Sequence, residues 1–418
     1  MGDITLQEAK RCLKCKKPKC KEGCPISTPT NEVFKLLVDG HIEEAGKMLF
    51  DNNPLSIVCS MVCYHENQCE GHCVLNAKNA PIHVSTVENY ISNYYLDIVK
   101  FDIKKDPEKK VAIIGAGPAG ITIAIILAKK GYDVTIFESR DQIGGVLRYG
   151  IPEFRLPKSV LDRIKVKLEE MGVKIRPNTL IGGTITMDDL FRDGYKAVFI
   201  GTGVWKPNSL KIKGETLGHV HFAIDYLKNP KVYNLGHRVC IIGAGNVAMD
   251  VARTVIRNGA REVTIMYRKG EDDITASRSE VEYAIFDGVK FEFYKSPVEI
   301  TDTGIRYMNM KEETDEQGNI SIVESGEEGF FECDSVIVSI SQGPRANIVS
   351  STKGIDINNK GLVITDEYGH TTKEGVFASG DVVTGAKTVV QAVANSKKVA
   401  QAMDEYVTQL LEKQKDIE

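Results

Sequence analysis

A glycine turn between an apolar strand and an apolar helix dictates more of this fold than any other segment. The run VAIIGAGPAGITIAIILAKKGYDVTIFESR spans Val111 to Arg140. It reads as a β-branched strand, then Gly115-x-Gly117-x-x-Gly120 enclosing Pro118 and Ala119, then an apolar helix and a second strand closing on Glu138. Gly115 permits the tight turn, Gly117 lets the backbone approach a pyrophosphate, and Gly120 allows close helix packing. Glu138, 23 residues after the first glycine, is placed to accept hydrogen bonds from an adenosine ribose. With strand, glycines, helix, strand and acid in register, the segment predicts an α/β, Rossmann-like dinucleotide-binding domain.

A second copy, VCIIGAGNVAMDVARTVIRNGAREVTIMYRK, runs from Val239 to Lys269 after one inserted residue near Glu262. Gly243 and Gly245 repeat the first two glycines, and Asn246 and Val247 follow them. Ala248 replaces the third glycine, which sets the helix slightly farther from the strand and from a bound phosphate. The first copy ends Glu138-Ser139-Arg140, whereas the second ends Tyr267-Arg268-Lys269. Loss of the acid removes repulsion toward a 2′-phosphate, and Arg268 has the fork to grip it in bidentate fashion. Arg278, on the following segment, supplies a second cation. The competing reading is a solvated basic loop. The second site reads as one for NADP rather than NAD.

Two dinucleotide folds suggest one tightly held dinucleotide and one that exchanges. The segment TTKEGVFASGD, Thr371 to Asp381, is a buried strand ending in Gly380-Asp381. A flavin enzyme uses such an ending to bring a carboxylate to the ribityl chain. The helix after Thr388 then points its N-terminal amides at the pyrimidine edge of the flavin.

Eight of the ten cysteines fall within the first 73 residues, in two runs of four. The first is Cys12-x2-Cys15-x4-Cys20-x3-Cys24-Pro25 and the second Cys59-x3-Cys63-x5-Cys69-x3-Cys73. Structural zinc draws two short pairs separated by a longer loop. Four close cysteines ending in Cys-Pro instead follow the bacterial ferredoxin run, whose fourth cysteine serves the other cluster. By that geometry Cys12, Cys15 and Cys20 hold one 4Fe-4S cubane, which Cys73 completes, and Cys24, Cys63 and Cys69 hold a second. One position on the second cluster is left, with Cys59 the obvious candidate; zinc remains the alternative to both clusters. Seven Lys or Arg and no acid lie between Lys10 and Lys21. They are placed to raise the potential of an anionic cluster or to form a docking face, unless they are simply a solvated helix end. Cys240 and Cys333 read as packing residues.

At ~150 residues per domain, 418 residues make two or three domains. A formal net charge of −4 argues against a nucleic-acid partner. The start MGDITLQEAKRC lacks the apolar core of a signal peptide, and Leu6 stands where myristoylation needs Ser or Thr. The most apolar stretch, Ile113 to Ala128, is 16 residues broken by three glycines and a proline, too short to span a bilayer. The expectation is a soluble, cytoplasmic protein. Helical spacing predicts two short helices between Asn31 and Phe50 and a third from Val84 to Val99, leading to a charged linker at Lys104 to Lys110.

In combination these motifs resemble the small (β) subunit of bacterial glutamate synthase and its relatives. Those relatives include the large subunit of the bifurcating ferredoxin-dependent transhydrogenase and the NADPH-side half of dihydropyrimidine dehydrogenase. The resemblance covers essentially the whole chain: both cysteine runs, the two glycine turns, GGVLRYGIP at Gly144 to Pro152, GTGVWKP at Gly201 to Pro207, SRSE at Ser277 to Glu280, and Gly380-Asp381. It implies a helical domain with two 4Fe-4S clusters at 1–105, an FAD domain at 106–232 and 345–418, and an NAD(P)H domain inserted at 233–344. Gly144 to Pro152, with Gly145 and Arg148, would line the flavin. In relatives the second cluster takes a Glu or Gln from the helix after the last cysteine; Val84 to Ile91 matches that helix, Glu88 falls on the ligand position, and Cys59 becomes a bystander. Many relatives have two arginines where this chain has Arg268-Lys269, and lysine lacks the planar fork, so NADPH is preferred with NADH also possible.

The activity implied is hydride transfer from NADPH to FAD, then single electrons through two clusters to a partner subunit in a heteromer. No protein acid or base is required, so no catalytic residue is named. Cluster and nucleotide domains fill the length, which puts the terminal acceptor on another polypeptide. A disulfide reductase is disfavoured, because no cysteine pair lies near the flavin motifs. The alternative is the flavin subunit of an electron-bifurcating NADH-dependent ferredoxin:NADP oxidoreductase or a related anaerobic complex. A cluster-bearing assembly subunit with decayed flavin sites is opposed by the intact glycines.

Overall fold

The computed structural model describes residues 2–345, 348 and 351–416. The chain forms two compact units, one of Met1–Arg148, Glu153–Val204 and Gly343–Glu418, the other of Tyr149–Pro152 and Trp205–Gln342.

The first unit begins with short helices: α1 (Gly2–Lys10), α2 (Lys19–Glu22), α3 (Thr30–Val38), α4 (Ile42–Asn52), α5 (Ser56–Val62) and α6 (Val84–Ile98). Their apolar faces meet at Val33, Phe34, Leu37, Leu49, Val87 and Ile91. Polar contacts zip α5 to α6, with Ser92 Oγ donating to Ser56 Oγ at 2.9 Å and Asn89 Nδ2 to Ser60 Oγ at 3.1 Å. A five-stranded parallel sheet follows: β1 (Asp106–Ile114), β2 (Tyr132–Phe137), β3 (Lys174–Arg176), β4 (Ala197–Ile200) and, near the end of the chain, Val376–Ala378. The spatial order is last strand, β4, β1, β2, β3. Strand order therefore reverses at β1, and the crevice beyond its carboxyl end is where an open α/β sheet binds ligands. Helix α7 (Pro118–Lys129) is buried on nearly every side, between this sheet and a 27-residue helix, Val389–Lys415.

Two sequence expectations are refined. The stretch Lys104 to Lys110 is not a free linker: β1 starts at Asp106, paired with Tyr132, and Lys105 Nζ holds Asp133 and the Gly172 carbonyl. The helices and the α/β part also fall in one compact unit, bonded to each other. Arg163 donates to Asn93 O at 3.0 Å and to Asp97 at 2.7 Å, Lys167 Nζ to Val99 O at 3.0 Å, and Lys129 pairs with Asp51.

The second unit carries another five-stranded parallel sheet, ordered Val220–Phe222, Ser335–Val338, Arg238–Ile242, Glu262–Met266, Lys290–Glu292. Again the strand before the glycine turn is central. The expected boundary at 232/233 falls inside this unit, because Val220–Phe222 is an edge strand of its sheet. An antiparallel three-stranded sheet (Lys295–Thr301, Gly304–Thr314, Ile320–Glu332) follows, with no counterpart in the first unit's sheet. Among the described residues no helix is long and apolar enough to cross a membrane.

Candidate functional site

In the first unit the turn after β1 is fixed by close backbone approaches. Gly115 has φ +100°, and a Cβ there would lie 2.6 Å from the Gly201 carbonyl oxygen at the end of β4. A Cβ on Gly120 would lie 2.0 Å from the Gly115 oxygen, so the helix enters where only glycine fits. Gly117 is different: a Cβ would meet nothing nearer than 4.0 Å. The chain itself does not need glycine there, and the open space suits a pyrophosphate against bare backbone. Pro118 and Ala119 open α7, whose N-terminal amides face the same place.

Glu138, nearly buried at the tip of β2, accepts from Ala116 N at 2.8 Å and Arg140 N at 2.9 Å. Its carboxylate is thus held against the turn. Gly145 lies over Gly117, where an added Cβ would come within 2.9 Å of the Gly117 Cα. Arg148 donates to Ile143 O at 2.9 Å and to Asp162 at 2.5 Å, which braces the Gly144-Gly145 bend. A Cβ on Gly380 would stand 3.0 Å from that of Ala119, so Gly380-Asp381 reaches the start of α7. Burial pushes the Asp381 carboxyl up to about 6, partly offset by the hydrogen bond from Lys387 N. Thr388 caps Val389–Lys415 in a capping box with Gln391, leaving the next amides for a ligand. The spacing Thr388-x-x-Gln391 is the sequence signal for that cap. A flavin dinucleotide fits this set: open backbone at Gly117, a helix terminus for its phosphates, and the buried Glu138 and half-buried Asp381 carboxylates for its hydroxyl groups.

The second turn repeats the plan with other side chains. Gly243 has φ +117° and approaches the Ser339 carbonyl, while a Cβ on Gly245 would meet only Thr275 Oγ1, at 3.6 Å. Asn246 Oδ1 accepts from Ser277 N at 2.9 Å, and Ala276 N donates to Ala244 O at 3.2 Å. These bonds lay the segment bearing Arg278 along the turn. Val247 and the wholly buried Ala248 pack into the core below. Arg268 is exposed and has no ion-pair partner among the described residues. Lys269 pairs with Asp273 at 3.3 Å and Arg278 with Glu282 at 2.9 Å. Behind them Arg253 joins Glu280 at 2.8 Å and Asp287 at 2.9 Å, a buried pairing that locks helix Arg278–Phe286 onto helix Asn246–Arg257. Sequence reading passed over this brace, because Arg253 and Asp287 lie outside any motif.

All ten cysteines are free thiols. Cys12, Cys15, Cys20 and Cys73 line one cavity together with Asn31 and Phe34. Burial pushes Cys20 up to about 11, with Cys12 and Cys73 adding to the effect. Crowded buried thiols ionise reluctantly alone, and metal binding is what makes several thiolates tolerable together. The buried Asn31 Oδ1 in the wall lacks a hydrogen-bond partner. Around the rim Lys14, Lys16, Lys17 and Lys19 are exposed, as is Leu13.

Cys24, Cys63, Cys69, Cys59 and Glu88 gather separately. The Cys63 thiol is raised chiefly by its hydrogen bond with Cys59, then by burial and by the charges of Cys59, Glu88 and Cys69. Cys69 is raised by burial, then by Glu88, Glu70 and Cys24. Glu88 is pushed up to about 8 by burial and by Glu70. Both candidates for the remaining position, Cys59 and Glu88, are therefore at this site. The thiols lining the cavity are of the kind that ligates an iron–sulfur cluster.

Fold and site define an FAD- and pyridine-nucleotide-dependent oxidoreductase with an attached 4Fe-4S domain. Residues 109–396, with a shorter match at 77–191, fit the family described as pyridine nucleotide-disulphide oxidoreductase, and residues 2–98 fit dihydropyrimidine dehydrogenase domain II, 4Fe-4S cluster. The glutamate synthase [NADPH] small chain of Halomonas elongata is 36% identical over 426 residues, covering 96% of this chain and 90% of that one. That of Escherichia coli K12 is 32% identical over 423 residues, covering 94% and 89%. The structure of Mycobacterium tuberculosis FprA in complex with NADPH shares the fold, with a TM-score of 0.62 and 18% identity over 73% of this chain and 86% of that one. This chain belongs to the glutamate synthase small-chain family. Its α/β part, although of the disulphide oxidoreductase family, carries two cysteines in its sequence, Cys240 and Cys333, both buried and 93 residues apart in the chain.

Proposed function

We propose that the chain is the NADPH-oxidising subunit of a glutamate-synthase-type complex, with one FAD, two 4Fe-4S clusters and an electron acceptor on a partner subunit. The observation that supports this is the gathering of the cysteines at two places, Cys12, Cys15, Cys20 and Cys73 at one, Cys24, Cys59, Cys63, Cys69 and Glu88 at the other, which we read as two ligand sets with Glu88 rather than Cys59 completing the second. Bound FAD supplies the conversion of a two-electron donor into single electrons. The chain's own residues hold the cofactors apart and in order. Helix α5, which bears Cys59 and ends just before Cys63, packs on Val389–Lys415, the helix that begins at the flavin site. The second group is thus the inner one. The first, with its lysine rim, is the outer one and faces an acidic partner surface. Arg268, with Arg278 as a second cation, favours the 2′-phosphate of NADPH, while Lys269 leaves NADH usable.

Anaerobically purified protein is expected to contain about eight iron atoms for two cubanes, to reduce a dye with NADPH, and to capture a large amidotransferase-synthase subunit. Glu88→Ala is expected to leave iron near half. Full iron retention would remove Glu88 as a ligand. A small flavin/2Fe-2S partner identified by mass spectrometry would assign the chain to an electron-bifurcating complex instead.

A further inference from the structure

A directional chain of hydrogen bonds runs from the flavin-side helix to a thiol of the inner group. Lys397, on Val389–Lys415, donates from Nζ to the Asn52 carbonyl at 2.6 Å and to Asn52 Oδ1 at 3.0 Å. Asn52 ends α4, so the ammonium group meets the negative end of that helix. The Asn52 amide passes the contact on, with Nδ2 donating to Thr28 Oγ1 at 3.4 Å and to Ile26 O at 3.4 Å. Thr28 is buried, and its Oγ1 stands 3.4 Å from Cys24 Sγ. In the free thiol either atom can donate there. Once Cys24 is a thiolate, only the Thr28 hydroxyl can, and its proton is available because its oxygen accepts from Asn52. The three bonds from Lys397 to Asn52 Oδ1, Asn52 to Thr28 and Thr28 to Cys24 then point the same way, from a cation to a sulfur.

Lys397 has no carboxylate partner among the described residues, and burial alone pushes its pKa down. Capping α4 would require only the Asn52 carbonyl. The second bond, to the side-chain oxygen, orients the amide toward Thr28, and a low-dielectric setting strengthens such a chain cooperatively.

We propose that Lys397, acting through Asn52 and Thr28, is a positioning residue for Cys24 that raises the reduction potential of the inner cluster. The proposal rests on the reading of Cys24 as a ligand of a second 4Fe-4S cluster. A hydrogen bond to a ligand sulfur stabilises the more negative, reduced cluster, and a cation at the far end adds to it. The cluster nearest the flavin helix is thereby easier to reduce only while that helix is docked on α4.

The test is an EPR-monitored redox titration of the anaerobic holoenzyme, with iron and flavin content measured in parallel. Thr28→Val is expected to lower the reduction equilibrium of one cluster about tenfold, ~59 mV for a one-electron couple, and to leave the other cluster unmoved. Thr28→Ser and Lys397→Arg are expected to keep the wild-type value. Lys397→Met moves the same cluster in the same direction by less, and adds nothing to Thr28→Val, because both act through one chain. If Thr28→Val loses iron, Lys397→Met, which touches no cysteine, decides alone. Two unchanged midpoints, or equal shifts of both clusters, overturn the proposal. Full iron retention in Cys24→Ala would overturn the two-cluster reading itself, and the proposal with it.

Discussion

In the first unit a Cβ on Gly120 would lie 2.0 Å from the Gly115 carbonyl, whereas in the second unit Ala248 carries a Cβ at the same point of the motif and is wholly buried. The first turn is flanked by acids, Glu138 at its strand tip and Asp381 on the crossing segment. The second is flanked by Arg268, Lys269 and Arg278. Each turn lies at the centre of a five-stranded parallel sheet, so topology does not distinguish them. The difference lies in whether the third position of the motif has room for a side chain and in the sign of the charge at the rim. It teaches that one local plan can serve a cofactor that stays and a substrate that leaves. A turn with room only for glycine at its third position and carboxylates at its rim suits the hydroxyl-rich flavin dinucleotide, and one that admits alanine there and carries cations suits the 2′-phosphate of a dinucleotide that exchanges.

The largest effect is expected from forcing the first turn to resemble the second. Gly120→Ala places a methyl group against the Gly115 oxygen and 3.1 Å from Ile113 Cγ2, both on the rigid strand-to-turn junction. Overpacking of this kind costs roughly 1–3 kcal/mol or more, concentrated where the pyrophosphate would lie. The variant is expected to purify with little or no flavin but normal iron, read from its visible spectrum and metal content. The reverse change, Ala248→Gly, is expected to leave flavin content untouched. If Gly120→Ala keeps full flavin, the two turns are not distinguished by room at the third position.

Next in size is Arg268→Ala. A charge-assisted hydrogen bond to a phosphate is worth ~1.5–3 kcal/mol, so KM for NADPH is expected to rise by roughly tenfold or more while KM for NADH scarcely moves. Equal rises for both nucleotides would show that the 2′-phosphate is read elsewhere and that the charge difference between the turns is incidental.

Both turns were legible in the sequence because each is a contiguous motif whose residues act within about thirty positions of one another. The two cysteine runs were visible for a similar reason, each being a contiguous stretch of the sequence. What escaped sequence reading was built over long separations by residues of ordinary type. Lys397 and Asn52 meet across most of the chain. Thr28 lies in a loop with nothing to mark it except its distance from Cys24. The second unit starts earlier than the motif suggests because Val220–Phe222, a three-residue edge strand, pairs with Ser335–Val338, and so short a segment has no readable period. The antiparallel sheet from Lys295 to Glu332 alternates polar and apolar residues too weakly to announce itself, most of its long strands being exposed. Arg148 was expected to line the flavin only through the resemblance; what no motif marked is that its guanidinium holds Ile143 O and Asp162.

The smallest effect separates the two arginines of the second turn from each other. Arg268 has no ion pair among the described residues, whereas Arg278 is held by Glu282 one helical turn away, with its side chain 86% exposed. An exposed pair at this spacing is worth only ~0.3–0.5 kcal/mol, so it constrains Arg278 weakly but competes with a phosphate for the same guanidinium. Glu282→Gln removes that competitor and one negative charge near the site. KM for NADPH is expected to fall by about twofold, in line with the strength of the pair, with NADH unchanged and stability altered by less than about 0.5 kcal/mol. The gain is expected to shrink in high salt, because screening acts on exposed charges first. A parallel fall in KM for NADH would show that Glu282 repels dinucleotides in general, and Arg278 would then belong to the background field of the second turn rather than to its reading of the 2′-phosphate.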